Sequence, residues 1–229
     1  MTTSPSPQSL FINRPEAGRR LVAPLNKYAN RDDVIILALP RGGVPVAYEV
    51  ACALNVRLDL MLVRKLGFPS QPEYAMGAIA SGGVRIMNEE ALRAHPTDKA
   101  SFDAVLAREQ QELLRRERVY RGNRSPLYLK DQVVILIDDG LATGASMLAA
   151  VHAVRTHAPS RIVVAVPVAP LETLEQLGGE VEEVICPLSP QWLVSIGYWY
   201  VDFSQTTDDE VMDLLHRAWQ KERPDQTGV

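Results

Sequence analysis

The chain has 229 residues, 46% hydrophobic and 23% charged, with a formal net charge of −4. That length is enough for one α/β domain with a real core, and the balance is that of an ordinary globular protein. Net acidity argues against a broad nucleic-acid-binding face, leaving room for a local basic cleft. Two cysteines, Cys52 and Cys186, make no disulfide framework and fit a reducing cytoplasm, and no apolar run reaches membrane-spanning length.

Residues 1–9 are rich in Ser, Thr and Pro, with no basic or apolar signal region, and are predicted to be a tail. Residues 15–28 carry Ala17, Leu21, Val22, Leu25 and Tyr28 at helical spacing, with Asn13 as N-cap and Pro15 in the first turn; Pro24 kinks or shortens this helix. Residues 34–39 are a short β-branched run, read as a buried strand. It enters Pro40-Arg41-Gly42-Gly43-Val44-Pro45 and then a helix over about 46–54. A strand feeding a glycine turn and a helix N-terminus is a place for an anion, and Arg41 adds positive charge; a tight turn with an exposed Arg41 competes with that reading.

Residues 58–63 read as the next strand, ending in Arg64-Lys65. Two cations at the end of a parallel strand lie on the ligand-binding edge, although a solvated pair is the alternative. Gly67, Pro69 and Pro72 make 66–74 a loop, and Ser81-Gly82-Gly83 joins 75–80 to 84–87 as a hairpin. Residue His95, before Pro96, is placed on the surface. Residues 98–120 form a long helix whose C-terminal arginines, Arg115, Arg116, Arg118 and Arg121, complement its dipole and read as a solvated face.

The most informative stretch is 133–146: Val133-Val134-Ile135-Leu136-Ile137-Asp138-Asp139-Gly140-Leu141-Ala142-Thr143-Gly144-Ala145-Ser146. An apolar strand ends in two carboxylates, a loop of small and hydroxylic residues follows, and 147–154 is a helix. Such a loop at a helix N-terminus suits a phosphate, with Thr143 and Ser146 donating to its oxygens. Carboxylates repel phosphate but suit vicinal sugar hydroxyls or hydrated Mg²⁺. Further on, 161–168 and 181–186 read as strands and 171–177 as a short helix. The stretch 191–203 is the aromatic centre of the chain, and core packing is one reading of it. A last helix over 207–219 opens on a capping box, Thr207 with Glu210, and the residues from 222 form a tail.

The 133–146 stretch resembles the phosphoribosyl-pyrophosphate (PRPP) motif of the type I phosphoribosyltransferases. The resemblance spans about 34–202. It implies transfer of a 5-phosphoribosyl group from PRPP to a nitrogenous base with release of pyrophosphate, aided by Mg²⁺. By the same resemblance, Arg41, Gly42 and Gly43 with Arg64 and Lys65 meet the pyrophosphate. Asp138 and Asp139 hold the ribose hydroxyls, directly or through the metal's waters, and residues 140–146 seat the 5′-phosphate. By the same resemblance the hairpin region is a lid with Glu73 and Tyr74 as contacts, and Trp192 or a neighbouring apolar residue is the platform on which a base stacks, with core packing as the equal alternative. Members that use hypoxanthine or guanine carry an Asp before the Thr-Gly pair, whereas this chain has Ala142, so that base class is disfavoured. A non-catalytic sensor of PRPP or nucleotide on the same fold is the alternative. The resemblance also implies a homodimer. The expected architecture is α/β: a mainly parallel sheet of about five strands, helices on both faces, a hood at about 187–204 and a β-hairpin lid. It forms a single domain over 10–221, with tails at 1–9 and 222–229.

Overall fold

The computed structural model describes residues 10–221, and the two predicted tails lie outside the described residues. The elements run α1 (Arg14–Leu25), β1 (Val34–Ala38), α2 (Gly43–Leu54), β2 (Arg57–Leu60), β3 (Val63–Phe68), β4 (Gln71–Ala80), β5 (Val84–Met87), α3 (Glu89–Ala94), α4 (Lys99–Arg121), β6 (Val133–Ile137), α5 (Ala145–Arg155), β7 (Arg161–Ala165), α6 (Leu171–Gly178), β8 (Glu183–Ile185) and α7 (Asp208–Trp219). Five strands make a parallel sheet in the order β2-β1-β6-β7-β8, with helices on both faces. Alternation along each strand explains why β1 and β6 are apolar throughout. Ile36, Ala38, Ile135 and Ile137 pack with α1, α2 and α7 on one face, while Leu37, Val134 and Leu136 pack with α5 and α6 on the other.

The chain runs from β1 to β2 in one direction, then returns to β6 on the other side of β1 and continues to β7 and β8. The order therefore reverses between β1 and β6. A crevice opens at the carboxyl ends of strands where such a reversal occurs.

β3, β4 and β5 form a separate antiparallel sheet. Leu66, Phe68, Met76 and Ile79 pack with Val105, Leu106 and Leu113 of α4, and Val63, Val84 and Ile86 pack on the α5 side. Two expectations are corrected here. The expected strand over 58–63 divides at Met61-Leu62, so Arg64-Lys65 lies inside β3 and not at the end of a parallel strand. The expected loop over 66–74 is mostly strand, with its irregularity confined to register shifts around Gly67 and the turn at Pro69-Ser70. Its side chain at Glu73 lies outside the described residues. A short helix, α3, was hidden in the sequence; Asn88 caps it by accepting from the Ala91 N–H at 3.0 Å. Asn13 and Thr207 cap α1 and α7 in the same way, at 3.0 and 3.1 Å.

The hood is built from two distant pieces of chain. Phe11 N–H donates to Trp199 C=O and Val201 N–H to Phe11 C=O, both at 2.8 Å, so the entry to α1 runs beside 199–202. Phe11, Trp199, Tyr200 and Val168 close a small apolar cluster beneath it. Among the described residues no helix is long and apolar enough to cross a membrane.

The arginine-rich end of α4 is not wholly solvated, which corrects that expectation. Arg121 Nε and Nη2 donate to the Asp59 carboxylate of β2 at 2.9 and 3.1 Å, and Arg121 Nη2 also donates to Ser125 C=O at 2.7 Å. Asp59 is buried. Removing one member of a buried ion pair strands the other charge, so Asp59→Ala is expected to lower unfolding stability by about 3–5 kcal/mol in urea titrations. Arg118→Ala, at an exposed position of the same helix, is expected to change it by less than about 0.5 kcal/mol.

Candidate active site at the reversal of strand order

The crevice between β1 and β6 gathers the residues with chemistry. Asp138 and Asp139 follow directly on Ile137, the last residue of β6. Opposite them, the chain leaves β1 through Leu39, whose N–H donates to Ile137 C=O at 2.9 Å, and enters α2 through Gly42 and Gly43. Space dictates those two glycines. A Cβ on Gly42 would sit 2.0 Å from Asp139 Oδ2, and one on Gly43 would sit 2.7 Å from Ile137 C=O. Only a backbone without side chains brings the α2 N-terminus this close to the acids, where its positive dipole end favours them.

The two acids differ in their surroundings. Asp139 is buried, and its Oδ2 accepts from Arg14 Nε at 2.7 Å. Arg14 is fixed in turn: its Nη1 donates to Ser204 C=O at 2.6 Å, and its guanidinium lies 3.9 Å from the centre of the Phe203 ring. The Tyr200 hydroxyl donates to the Asp139 backbone carbonyl at 2.6 Å. Burial and the adjacent Asp139 hold that hydroxyl far above its ordinary range, so it stays a donor. Among the described residues no cation bonds to Asp138; its Oδ1 accepts from the Asp139 N–H at 2.8 Å. Burial, and then the charge of Asp139, push the Asp138 carboxyl well up. Burial also pushes Asp139 up, while Arg14 draws it back.

The loop after the acids is held from outside. Leu141 is buried, and its N–H donates to Val168 C=O at 2.9 Å. Ala142 C=O accepts from the Thr173 hydroxyl at 2.9 Å. Gly140 lies against the hood, where a Cβ would meet Ile196 at 2.7 Å. Gly144 takes φ +69° at the N-cap of α5. This turn leaves Thr143, Ala145 and Ser146 exposed at the first turn of α5, where N–H groups have no partner within the helix.

A cavity of about 100 Å³ is lined by Pro40, Arg64, Arg116, Asp138 and Ser146, among others. It is too small for a whole nucleotide. Arg64 Nε and Nη2 both donate to Glu109 Oε2, at 2.8 and 2.6 Å. Lys65, the next residue of β3, points to the opposite face by strand alternation and makes no ion pair among the described residues. Arg41 turns towards α7, with its Nη1 3.5 Å from Asp208 Oδ1. Trp192 stands on the hood at 79% exposure.

Of the residues named from sequence, the fold thus gathers Gly42, Gly43, Arg64, Asp138, Asp139 and the 140–146 loop. Lys65 is exposed on the face of β3 that carries Val63 on the α5 side, Arg41 turns to α7 and Trp192 stands at the rim. Sequence reasoning missed Arg14, Tyr200 and Arg116. Arg14 and Asp139 are 125 positions apart, and no local pattern links them.

A phosphate on the α5 N-terminus, a sugar hydroxyl or hydrated cation on Asp138, and a second anion on Arg64 would all fit this arrangement. The phosphoribosyl transferase domain family matches residues 12–196. The chain belongs to that family. Its match takes in β1, both sheets, the acid pair and the phosphate-type loop. Proteins of two Mycobacterium tuberculosis strains, each named "Putative phosphoribosyl transferase", are 42% identical over 209 residues. Those 209 residues are 91% of this chain and 47% of either relative, so the chain spans about half the length of the curated relatives it matches. The crystal structure of TT1426 from Thermus thermophilus is 40% identical with a TM-score of 0.80, covering 91% of this chain and 98% of that one.

The raised Asp138 has a consequence for stability. An acid whose folded pKa lies above its unfolded value stabilises the fold below about pH 4, and that contribution is lost as pH rises through the folded value. Asp138→Asn removes this half-buried charge. The ligand-free variant is expected to melt at a higher temperature than the parent at pH 7, and to lose less stability between pH 4 and 7, in thermal melts followed by circular dichroism.

Proposed function

We propose that this phosphoribosyl transferase domain moves the 5-phosphoribosyl group of PRPP to a nitrogenous base and releases pyrophosphate. The observation that carries the reading is the meeting, at one reversal of strand order, of the Asp138 carboxylate with an open helix N-terminus bearing Thr143 and Ser146. The 5′-phosphate sits on the Thr143–Ser146 turn, and Asp138 accepts from a ribose hydroxyl. The C1–O bond to pyrophosphate breaks with its electron pair passing to the departing oxygen. The base nitrogen supplies the pair for the new C1–N bond and gives up its proton to solvent. Orientation and stabilisation of the leaving charge supply the catalysis.

The donor set fits a hydrated Mg²⁺ that keeps water and substrate oxygens. Asp138 is the one carboxylate lining the cavity, and the described residues hold no cluster of three or more metal-type side chains. When bound, Mg²⁺ neutralises charge on the pyrophosphate. Trp192 is the candidate platform for the base, and Ala142 puts no carboxylate where a hypoxanthine or guanine enzyme needs one. A homodimer and a cytoplasmic setting go with this reading.

A PRPP- or nucleotide-sensing regulator is the second reading, favoured by the Arg14 bond that engages one of the two acids. Incubation with PRPP, Mg²⁺ and a panel of bases separates them. Pyrophosphate release with at least one base is expected; PRPP binding without release across the panel establishes the sensor. A hydrogen bond to a charged phosphate contributes roughly 1.5–3 kcal/mol, so Thr143→Ala and Ser146→Ala are each expected to weaken PRPP binding at least about tenfold in calorimetry.

A further inference from the structure

We propose that Arg116, carried by the long helix α4, forms with Arg64 a two-guanidinium wall that reads the diphosphate of PRPP. The inference rests on the proposed function and assigns the leaving-group end of that site to an element outside the parallel sheet. Arg116 and Arg64 line the same cavity as Asp138, Ser146 and Pro40. That cavity lies over the end of β1, between the end of β2 and the start of α5. It is therefore on the far side of Asp138 from the hood, where a base would lie.

Both guanidinium groups are held from behind by carboxylates of α4. Glu109, with a side chain 8% exposed, takes Arg64 Nε and Nη2. Glu112 Oε1 takes Arg116 Nε at 2.8 Å. Glu112 is itself drawn down to about 2 by Arg115 and Arg116, so it remains a charged anchor. Each glutamate engages its arginine through Nε. The two terminal nitrogens of Arg116 and the Nη1 of Arg64 bond to none of the described residues. A planar guanidinium anchored at one edge presents a fork of donors at the other, which matches phosphate oxygens. Asp138 alone would repel a diphosphate placed beside it, and two free guanidinium edges on the facing wall offset that repulsion. Arg118, two residues along α4, is exposed and lines other surface, as helical spacing requires.

Binding calorimetry with Mg²⁺ tests this on four chains: the parent, Arg116→Ala, Arg116→Lys and Arg118→Ala, with PRPP and with ribose 5-phosphate, which lacks the diphosphate. Arg116→Ala is expected to weaken PRPP about 10- to 100-fold and to leave ribose 5-phosphate within about twofold. Arg116→Lys is expected to recover part of the loss, because it restores charge without the fork, and Arg118→Ala to change neither ligand. Unchanged PRPP affinity in Arg116→Ala overturns the inference while leaving the proposed function standing. An equal loss of both ligands also overturns it, because that pattern marks a structural role. A parent that binds neither ligand overturns the proposed function and this inference with it.

Discussion

A half-buried and a buried carboxylate, Asp138 and Asp139, side by side at the end of one strand are the constraint around which the site is arranged. Water no longer solvates them fully, which raises both carboxyls, and the charge of Asp139 raises Asp138 further. The surrounding chain answers that problem chiefly on Asp139. Arg14 is bonded to Asp139, Tyr200 caps the Asp139 carbonyl, and the glycine pair lets a helix N-terminus approach. Among the described residues Asp138 receives one backbone N–H and no bonded cation. The acid that lines the cavity is the one without a cation bonded to it among them.

That asymmetry ties the hood to the sheet. The entry to α1 and the 199–204 segment are joined by backbone hydrogen bonds, and Arg14 reaches from that seam to the tip of β6. A segment at the N-terminal end of the described chain thus helps fix the electrostatics of the site. Burying an unneutralised carboxylate destabilises a ligand-free fold, which is the usual trade between stability and a binding site.

Much of the central sheet is legible in the sequence because a strand covered on both faces shows as an uninterrupted apolar run. β1, β6 and β7 carry that signature, and the acid pair and phosphate-type loop follow β6 directly. The β2–β3 region is less legible. The run from Leu58 to Val63 reads as one strand although the chain changes sheets at Met61-Leu62, so Arg64 and Lys65 read as sharing an edge when they face opposite ways. Gly67 and Pro69 look like loop residues because a bulge and a tight turn use the same residue types as a loop. Arg14 and Arg116 act through contacts across the fold, and neither sits in a pattern that periodicity or spacing can detect. On α4 the arginines form one run in sequence but serve three purposes in space: Arg121 anchors the helix to β2, Arg116 faces the cavity and Arg118 faces solvent.

The central claim is that the Asp138 carboxylate, with no cation bonded to it among the described residues, is the ribose-side contact of the site. Titrating PRPP with Mg²⁺ into the parent and into Asp138→Asn by calorimetry tests it most directly. The account predicts that the parent binds and that the variant, folded and carrying one charge fewer, binds at least about tenfold more weakly. Equal affinity of the two chains for PRPP would contradict it.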